Sequence, residues 1–551
     1  MKRIRFPIDG VVYHSPEETN HYVSSGAWRW TTLGDELRLA AQQAADTAYI
    51  IADDGILSFG DVDRTSESVA ASMLDMGLRP GDSAIFQVGN VKELIVALFG
   101  CFKAGILPVC TLVQHRNIEI SQLAKITSAR AYVVQADIST NFDQLEFARR
   151  MIAAQPTLEK LIVLRGGALP GEYALDDMMI RFAQVEARFR TKATDPLPGD
   201  VAMLQLSGGS TGLPKIIPRM HAEYLGAAHA WNMRQGLSYA DISLWALPLI
   251  HNAGMIMMLM PSLLARRPLV IRSRFEIDDF LATIESHKVT YTGSIGPIAP
   301  RIIEHPQLEQ FNLSSLRTVF TLARAGALEL RTGVPAQLTY GITEGMLLAA
   351  ETDSSPQIRL ETMGWPVGVG DEVRLIDPDS EAIVPVGGTG EFCFRGPHSI
   401  RGYFAAAQEN ARSFLSDGFF RSGDIMRSVE VDGKLCYVFQ GRLRDNINRG
   451  GEKFGAEEVE ALVAEHPAIT DVRIVAMPDR FLGERACAFV ILKPLVNPPT
   501  VEELGAFLTG RGLAKFKLPE RIEPVDQFPV TRVGKVDKAA LRAMIAGLLE
   551  R

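Results

Sequence analysis

A loop rich in glycine and hydroxyl side chains, LSGGSTGLPK, runs from Leu206 to Lys215 and has the composition of an anion-binding site. Its glycines allow backbone N–H groups to approach phosphate oxygens, while its hydroxyl groups and lysine can add hydrogen bonds and positive charge. The phosphate-loop pattern G-x-x-x-x-G-K-S/T does not fit, because Leu213 stands where a pattern that begins at Gly208 needs glycine, and Ile216 follows the lysine. The loop therefore predicts a phosphate site in a different fold. Taken alone, its alternative is a flexible surface hairpin.

The composition of the whole chain excludes several functional classes. A chain of 551 residues is too long for a single core, and its 47% apolar and 22% charged residues indicate globular domains. A net charge of −8 without a long basic block argues against a nucleic-acid partner and favours a small or acyl substrate. Five scattered cysteines without a C-x-x-C pair favour neither a disulfide framework nor a zinc site. We therefore expect a cytoplasmic protein.

The most apolar stretch, LIVALFGCFKAGILPVCTLV from Leu94 to Val113, is interrupted by Lys103, Gly105 and Pro108. These interruptions predict a helix and a strand in a buried core rather than a membrane span. The N-terminal MKRIRFPIDGVVYH has basic residues without an apolar segment behind them, so no signal peptide is expected. We expect no membrane partner.

Helix-length segments and short apolar runs alternate between residues 60 and 300, which is typical of stacked α/β units around mostly parallel sheets. Between residues 370 and 440 shorter runs, separated by Gly, Pro and Asp, predict an antiparallel β subdomain. The predicted fold is α/β, with a large N-terminal domain of stacked α/β sheets plus a β subdomain, 1–441, and a small mobile α+β C-terminal domain, 442–551. Runs that predict strands include DSAIFQV, ARAYVVQA, EKLIVLRG, RPLVIRS, VTYTGS, DEVRLID, GEFCFRG, KLCYVFQ, DVRIVAMPD and ACAFVILKP.

Four further motifs follow the glycine-rich loop along the chain. They are YGITEG (Tyr340 to Gly345), FRSGD (Phe420 to Asp424), GRLRDNINRGGEK (Gly441 to Lys453) and TRVGKVDK (Thr531 to Lys538). Their order and spacing resemble the adenylate-forming enzymes, the superfamily of acyl-CoA ligases, luciferases and peptide-synthetase adenylation domains. The stretches SSGAWRWTTLGDELR, LPLIHNAG and INRGGEKFGAEEVE also resemble stand-alone aryl-acid ligases, the 2,3-dihydroxybenzoate and salicylate activating enzymes of siderophore pathways. The likeness covers nearly the full chain.

This resemblance implies a two-step reaction. A carboxylate attacks the α-phosphate of ATP to give an acyl-adenylate and pyrophosphate, and a thiol then takes the acyl group. Such phosphoryl chemistry asks the protein mainly to position reactants and neutralise charge. The loop residues implied to bind the ATP phosphates are Ser207, Gly208, Gly209, Ser210, Thr211, Gly212 and Lys215.

The YGITEG motif is implied to serve both the nucleotide and a metal ion. Tyr340 would cover the adenine, with Gly341 beside it, and Thr343 would contact the α-phosphate. Glu344 is the implied Mg²⁺ ligand, because a hard cation prefers carboxylate oxygen. Without this context, a glutamate after threonine is usually a capping residue.

Four residues in the last third of the chain complete the implied machinery. Asp424 would accept hydrogen bonds from the ribose hydroxyls, and Arg442 would reach the ribose or the phosphates. Lys535, on a loop of the mobile domain, would bridge the substrate carboxylate and the α-phosphate as negative charge accumulates. Arg444 occupies the hinge position about which that domain turns between the two half-reactions. The local alternatives are a turn aspartate and a solvated lysine.

The stretch LPLIHNAGMIMMLMP predicts the acyl pocket. His251 aligns with the aromatic or histidine residue that gates the carboxylate, and Asn252 with the asparagine that aryl-acid ligases use for an ortho-hydroxyl or ring nitrogen. An N-cap asparagine is the alternative. Ala253 and Gly254 replace a bulky aromatic and a proline, and Met257 replaces a polar residue, so we expect an apolar ring edge there. Salicylate-like, benzoate-like or heteroaryl acids are thus favoured over 2,3-dihydroxybenzoate.

The segment before the adenine motif, FTLARAGALELRTGVPAQLTYG, lacks paired glycines and is shorter than the family pattern. Thr321, Leu322, Ala323 or Arg324 could therefore line the pocket. An inward Arg324 could pair with a second acidic group of the substrate, whereas a surface position is the alternative.

The sequence predicts an ATP- and Mg²⁺-dependent ligase for an aromatic carboxylic acid. Because no carrier motif occurs in the chain, the acceptor is expected to be the phosphopantetheine thiol of a separate aryl carrier protein. An aryl-CoA ligase that delivers to coenzyme A is the alternative. A non-catalytic nucleotide- or acyl-binding protein of the same fold is a second alternative, although the charged residues of all the motifs are present.

Overall fold

In this computed structural model the chain divides into two units. Unit 1 comprises Met1–Glu372 and Phe394–Phe420, and unit 2 comprises Val373–Cys393 and Arg421–Arg551. The domain boundary predicted between residues 441 and 442 stays a prediction. The structure describes residues 3–139, 141–207, 214–296, 298–449, 452–479, 482–511, 513, 515–530 and 536–549.

Unit 1 consists of two mostly parallel sheets with helices packed on them. Its strands are β1 (Ala48–Ala52), β2 (Gly55–Ser58), β3 (Ser83–Gln87), β4 (Leu107–Cys110), β5 (Ala131–Gln135), β6 (Lys160–Leu164), β7 (Tyr173–Ala174), β8 (Val201–Leu206), β9 (Ile216–Met220), β10 (Ser243–Trp245), β11 (Leu269–Ile271), β12 (Tyr291–Ser294), β13 (Thr318–Thr321), β14 (Ala336–Gly341), β15 (Leu347–Ala349) and β16 (Trp365–Pro366). Its α-helices are α1 (Pro16–Ser24), α2 (Leu33–Ala44), α3 (Phe59–Asp75), α4 (Lys92–Ala104), α5 (Asn117–Thr127), α6 (Gln144–Ala154), α7 (Leu175–Ile180), α8 (Gln184–Thr191), α9 (His221–Arg234), α10 (Asn252–Gly254), α11 (Met260–Ala265), α12 (Ile277–His287), α13 (Ile298–Ile303), α14 (Ala325–Thr332), α15 (Pro356–Glu361) and α16 (Ala407–Ser413). A π-helical turn, Met255–Leu259, and 3₁₀ turns at Lys192–Thr194 and Leu308–Gln310 complete the unit.

One sheet has nine strands in the order β16-β15-β14-β13-β12-β10-β11-β1-β2, and the other has seven in the order β7-β6-β5-β3-β4-β8-β9. The central pairs, such as β3 with β5 and β12 with β13, are parallel. Parallel strands are covered on both faces and therefore read as continuous apolar runs, and β5 is buried at every position. The predicted α/β architecture is confirmed.

A continuous core joins the two sheets of unit 1. It contains Phe86 of β3, Ile271 of β11 and Phe320 of β13, together with buried residues of α2, α3, α4, α9 and α11. Within it, the apolar stretch Leu94–Val113 forms α4 and β4, and all residues of β4 are buried, as predicted. Among the described residues, no helix combines the length and the apolar character that crossing a bilayer requires.

Three segments with predicted site residues begin at the carboxyl ends of strands in unit 1. The glycine-rich loop follows β8, the segment that contains Asn252 follows β10, and the turn that contains Thr343 follows β14. Ligands of open α/β sheets bind outside the carboxyl ends of the strands. The fold therefore places these three segments where a ligand site is expected.

Unit 2 contains two smaller sheets, one of four strands in the order β17-β18-β19-β20 and one of five strands built on β22-β21-β24-β23, with β25 paired to β24. The predicted strands of this region, including the long pair that begins at DVRIVAMPD, are confirmed. The strands are β17 (Glu372–Ile376), β18 (Thr389–Arg395), β19 (Phe420–Val431), β20 (Lys434–Arg442), β21 (Asn446–Arg449), β22 (Glu452–Gly455), β23 (Ile469–Asp479), β24 (Gly483–Leu492) and β25 (Arg521–Pro524). The helices are α17 (Ala456–Val463), α18 (Val501–Gly510) and α19 (Lys538–Leu549), with 3₁₀ turns at Leu443–Asp445 and Lys515–Lys517.

Candidate functional site

The glycine-rich loop closes a hairpin between β8 and β9. These strands pair antiparallel up to Leu206 and Ile216, and the backbone N–H of Ser207 donates to the carbonyl of Lys215 at 3.0 Å. This bond fixes the two ends of the loop. The predicted phosphate-binding residues Gly208, Gly209, Ser210, Thr211 and Gly212 lie outside the described residues.

Lys215 is held by two neighbours that the sequence did not identify. Its Nζ lies 2.5 Å from Oε1 of Glu409 and 4.6 Å from the ring centroid of Tyr403. The hydrogen bond from Lys215 lowers the pKa of the Glu409 carboxyl. Both neighbours come from residues 403–409, a segment that none of the five motifs includes.

The segment from Tyr340 to Gly345 leaves β14 and forms a tight turn. Tyr340 is buried, Gly341 is exposed, and the N–H of Gly345 donates to the carbonyl of Ile342 at 3.0 Å. Gly345 has a φ of +122°, and a Cβ atom there would lie 1.8 Å from the carbonyl oxygen of His398. Only glycine fits this close approach of two backbones.

The carboxylate of Glu344 is 5% exposed, and its Oε1 accepts a hydrogen bond from the Tyr403 hydroxyl at 2.7 Å. Burial, reinforced by the charge of Glu344, raises the pKa of Tyr403, so this hydroxyl remains a donor. A carboxylate oxygen is a suitable ligand for Mg²⁺, which is commonly held by one or two carboxylates and substrate phosphates. Over the described ranges, no group of three or more acidic, histidine or cysteine side chains could hold a metal on its own. Glu344 therefore offers one carboxylate of the kind that such a metal site uses.

Arg219 donates hydrogen bonds to the backbone of the same turn and to the segment beside it. It is fully buried in β9, where Nη1 donates to the carbonyl of Thr343 at 2.7 Å and Nη2 to that of His398 at 3.1 Å. Nη2 also lies 2.5 Å from Oε1 of Glu223, another fully buried side chain. Burial raises the pKa of Glu223, an effect that the charge of Arg219 opposes. The sequence signal was the pair of charges four residues apart within the apolar run IIPRMHAEY.

The predicted acyl-pocket residues form a short helix that continues as a π-helical turn. His251 is exposed at the N-cap, where its Nδ1 accepts from the N–H of Ala253 at 3.3 Å. Asn252 is 5% exposed, and its Oδ1 accepts from the hydroxyl of Tyr224 at 2.9 Å. Met257 is buried in the π-helical turn, a feature that is frequent at functional sites.

Met257 lies next to Gly341, so the predicted acyl segment is adjacent to the predicted nucleotide motif. Its Cε lies 3.2 Å from the point that a Cβ atom on Gly341 would occupy. Gly341 is two residues before Thr343, so the predicted acyl and nucleotide residues of unit 1 are neighbours. A side chain at Gly341 would compress this contact.

The shortened segment 321–339 contains a helix, α14, between β13 and β14. Thr321 is buried and its hydroxyl donates to the carbonyl of Ser294 at 2.9 Å, whereas Leu322 is exposed. Arg324 adopts a φ of +60° before the helix, and its side chain is 48% exposed and 3.7 Å from Glu304. The surface position of Arg324 is therefore the correct alternative, and the inward one is wrong.

Asp424 and Arg442 face each other in unit 2. They are paired in the register of β19 and β20, with 3.5 Å between Nε of the arginine and Oδ1 of the aspartate. The N–H of Asp424 donates to Ser422, whose hydroxyl donates to the carbonyl of Phe392. The backbone of the hinge candidate, Arg444, lies in a 3₁₀ turn. The predicted catalytic residue Lys535 lies outside the described residues.

Comparisons with known proteins agree with the motifs. Residues 37–404 match the family described as AMP-binding enzyme, and residues 458–535 match the AMP-binding enzyme C-terminal domain. The chain is 36% identical over 532 residues to the 2,3-dihydroxybenzoate-AMP ligase of Bacillus subtilis, covering 95% of this chain and 96% of that protein. It is 34% identical over 552 residues to the salicyl-AMP ligase / salicyl-S-ArCP synthetase of Mycobacterium tuberculosis, covering 97% and 94%. The apo structure of MbtA from Mycobacterium smegmatis is similar with a TM-score of 0.72 and 31% identity, covering 97% and 98%.

Proposed function

The chain belongs to the AMP-binding enzyme family, and from this we propose that it activates an aromatic carboxylic acid with ATP. In the first step a carboxylate oxygen of the acid attacks the α-phosphorus, the bond to the β-phosphate breaks, and pyrophosphate leaves. In the second step a thiolate attacks the acyl carbon and AMP leaves. The thiol belongs to the phosphopantetheine of a separate aryl carrier protein, and its proton passes to solvent.

The contact of Met257 with Gly341 is the observation that supports this function best. An acid ring beside Asn252 and Met257 would have its carboxylate near the turn that contains Thr343. The apolar thioether suits a ring edge without a further hydroxyl, which favours salicylate-like, benzoate-like or heteroaryl acids. His251, which is exposed beside this segment, would gate the carboxylate.

The nucleotide would be bound by the residues of the motifs. The backbone of Gly208, Gly209 and Gly212 would approach the β- and γ-phosphates, and Lys215 would contribute charge to the same oxygens. Tyr340 and Gly341 would contact the adenine, and Thr343 the α-phosphate. Ser207, Ser210 and Thr211 would donate hydroxyl hydrogen bonds, while Asp424 and Arg442 would bind the ribose.

Glu344 would hold Mg²⁺, which when bound supplies positive charge to the phosphate oxygens. Tyr403 would keep the carboxylate oriented for this task through its hydrogen bond to Oε1. Lys535 would place a point charge between the acid and the α-phosphate. A turn about Arg444 would then withdraw Lys535 and admit the thiol.

Acid-dependent exchange of pyrophosphate into ATP tests this function. We expect exchange with one ring system of a panel of benzoic, salicylic, 2,3-dihydroxybenzoic, picolinic and quinaldic acids, and none with fatty or amino acids. Lys535→Ala and Asp424→Ala should each lower exchange by about 100-fold or more, since each removes a group that stabilises developing charge or binds ATP. Lys538→Ala is the matched control, because Lys538 pairs with Glu460 at 2.8 Å.

If no acid of the panel supports exchange while the protein still binds ATP, the result would contradict the proposal and support the non-catalytic alternative. The acceptor is tested separately by adding either free coenzyme A or a phosphopantetheinylated aryl carrier protein to the preformed adenylate. Release of AMP by the carrier protein alone supports the proposed acceptor, whereas equal release by coenzyme A identifies an aryl-CoA ligase.

A further inference from the structure

The direction in which the Asn252 amide faces depends on Tyr224. An asparagine side chain has an acceptor end, Oδ1, and a donor end, Nδ2, and its neighbours determine which end a ligand meets. Tyr224, a fully buried residue of α9, donates its hydroxyl hydrogen to Oδ1 at 2.9 Å. A hydroxyl has one hydrogen, so its bond with Asn252 commits that hydrogen to the oxygen end of the amide.

The Tyr224 hydroxyl stays protonated, and the amide of Gln205 lies beside it. Burial raises the pKa of Tyr224 well above 10, so its hydroxyl stays protonated. The charge of Arg219 and the neighbouring side chain of Gln205 partly oppose that rise in the pKa. The Nε2 of Gln205 also donates to the carbonyl of Ile250 at 3.3 Å, which ties this amide to the segment before His251. The Tyr224 hydroxyl thus keeps its hydrogen and donates it to Asn252.

The donor end of Asn252 is consequently turned away from Tyr224. In the part of the chain that the structure describes, Nδ2 of Asn252 donates no hydrogen bond, and it is not among the buried side-chain atoms that lack a partner, so it keeps surface that a ligand can reach. A ligand that covers this N–H and shields it from water must offer it an acceptor, because a buried polar group without a partner costs free energy.

We propose that Tyr224 is a specificity-determining positioning residue, which holds the Asn252 amide so that the pocket selects aromatic acids with a hydrogen-bond acceptor ortho to the carboxylate. This inference rests on the proposed function, in which Asn252 faces the acid. A phenol whose hydrogen is bonded to its own carboxylate, as in salicylate, presents an oxygen lone pair, and picolinate presents a ring nitrogen. The ortho-amino group of anthranilate presents N–H instead, because its lone pair is conjugated with the ring.

The test compares salicylate with anthranilate in pyrophosphate exchange. The wild-type protein should favour salicylate in kcat/KM, and Tyr224→Phe should reduce that preference by about tenfold, the equivalent of one hydrogen bond of about 1.4 kcal/mol. Tyr132→Phe is the matched control, because Tyr132 is also fully buried and donates to an amide oxygen, that of Gln87. Both variants should lose thermal stability, but only Tyr224→Phe should change the preference.

Asn252→Asp provides a second variant that does not depend on the folding of the Tyr224 variant. It presents a carboxylate oxygen to the ring, and we expect its preference to shift toward anthranilate. A wild-type protein that uses anthranilate as well as salicylate overturns the inference alone, as does an active Tyr224→Phe variant with an unchanged preference. If none of the acids supports pyrophosphate exchange, the proposed function is overturned and this inference with it.

Discussion

The hydroxyl of Tyr403 donates to Oε1 of Glu344 at 2.7 Å, and the ring of the same tyrosine lies 4.6 Å from Nζ of Lys215. One side chain thereby contacts the proposed metal ligand and the lysine at the end of the glycine-rich loop. Tyr403 and Glu344 are 59 residues apart in the chain. Two motifs that are separate in the sequence are thus linked by a residue that belongs to neither.

We expect Tyr403→Phe to raise the Mg²⁺ concentration required for half-maximal pyrophosphate exchange and to lower the rate by about tenfold, because Glu344 loses the hydrogen bond that orients it. Phenylalanine keeps the ring beside Lys215, so the KM for ATP should change less. Tyr403→Leu, which removes the ring as well, should raise both the required Mg²⁺ concentration and the KM for ATP. An unchanged Mg²⁺ requirement in Tyr403→Phe would show that the hydrogen bond has no part in metal binding.

Gly345→Ala should lower both thermal stability and pyrophosphate exchange. The new Cβ would lie 1.8 Å from the carbonyl oxygen of His398, and the φ of +122° adds backbone strain of about 1–3 kcal/mol. Gly326→Ala is the matched control, because a Cβ there meets nothing within 4 Å. The control should keep full exchange and melt at the same or a higher temperature. Equal behaviour of the two variants would contradict the tight turn.

Glu223→Gln should destabilise the protein by about 3–5 kcal/mol, because Arg219 would be left buried without its counterion. Glu186→Gln, which breaks the exposed pair of Glu186 with Arg190, should cost about 1 kcal/mol or less. Denaturant unfolding of the full chain measures both changes. If the two variants lose the same small amount, the buried pair does not anchor the Thr343 turn.

The stability of the protein should fall as the pH is lowered below 6.5, in part because of His221. Burial lowers the pKa of this histidine from 6.5 to about 3, so the folded state keeps it neutral while the unfolded state takes up a proton. Stability is therefore full above pH 6.5 and decreases toward the folded pKa. His221→Asn retains an acceptor for the N–H of Leu33 and should remove about 2 kcal/mol of the loss between pH 7.5 and 5. Parallel losses in variant and wild type would argue against a neutral buried His221.

Met257→Ser should increase the use of 2,3-dihydroxybenzoate relative to salicylate. The serine hydroxyl can pair with a second ring hydroxyl, which the thioether of Met257 serves poorly. The ratio of kcat/KM for the two acids in pyrophosphate exchange measures the effect. Met255→Leu, a volume-conserving change at another buried methionine of the same turn, is the control. A ratio that is the same in all three proteins would place Met257 outside the ring pocket.

Local patterns of residue type in the sequence were enough to predict many of the strands and helices and to identify the family. ARAYVVQA predicted β5, because a strand covered on both faces is a nearly continuous apolar run. The charge and turn residues of YGITEG and GRLRDNINRGGEK carried the resemblance to the family, which the comparisons confirmed. The interrupted run Leu94–Val113 likewise predicted a helix followed by a strand. These inferences depend on residue type and spacing over a few turns or strands, which the sequence states directly.

Only the tertiary structure decided which side chains meet. Arg219 reaches the carbonyl of Thr343 across 124 residues, and Tyr224 determines the direction of the Asn252 amide from another helix. The sequence was compatible with an inward and an outward position of Arg324, and the structure places its side chain at the surface, 48% exposed and 3.7 Å from Glu304. Such contacts depend on how distant segments pack around a shared core, and a local pattern contains no information about the partner that a buried polar group will find.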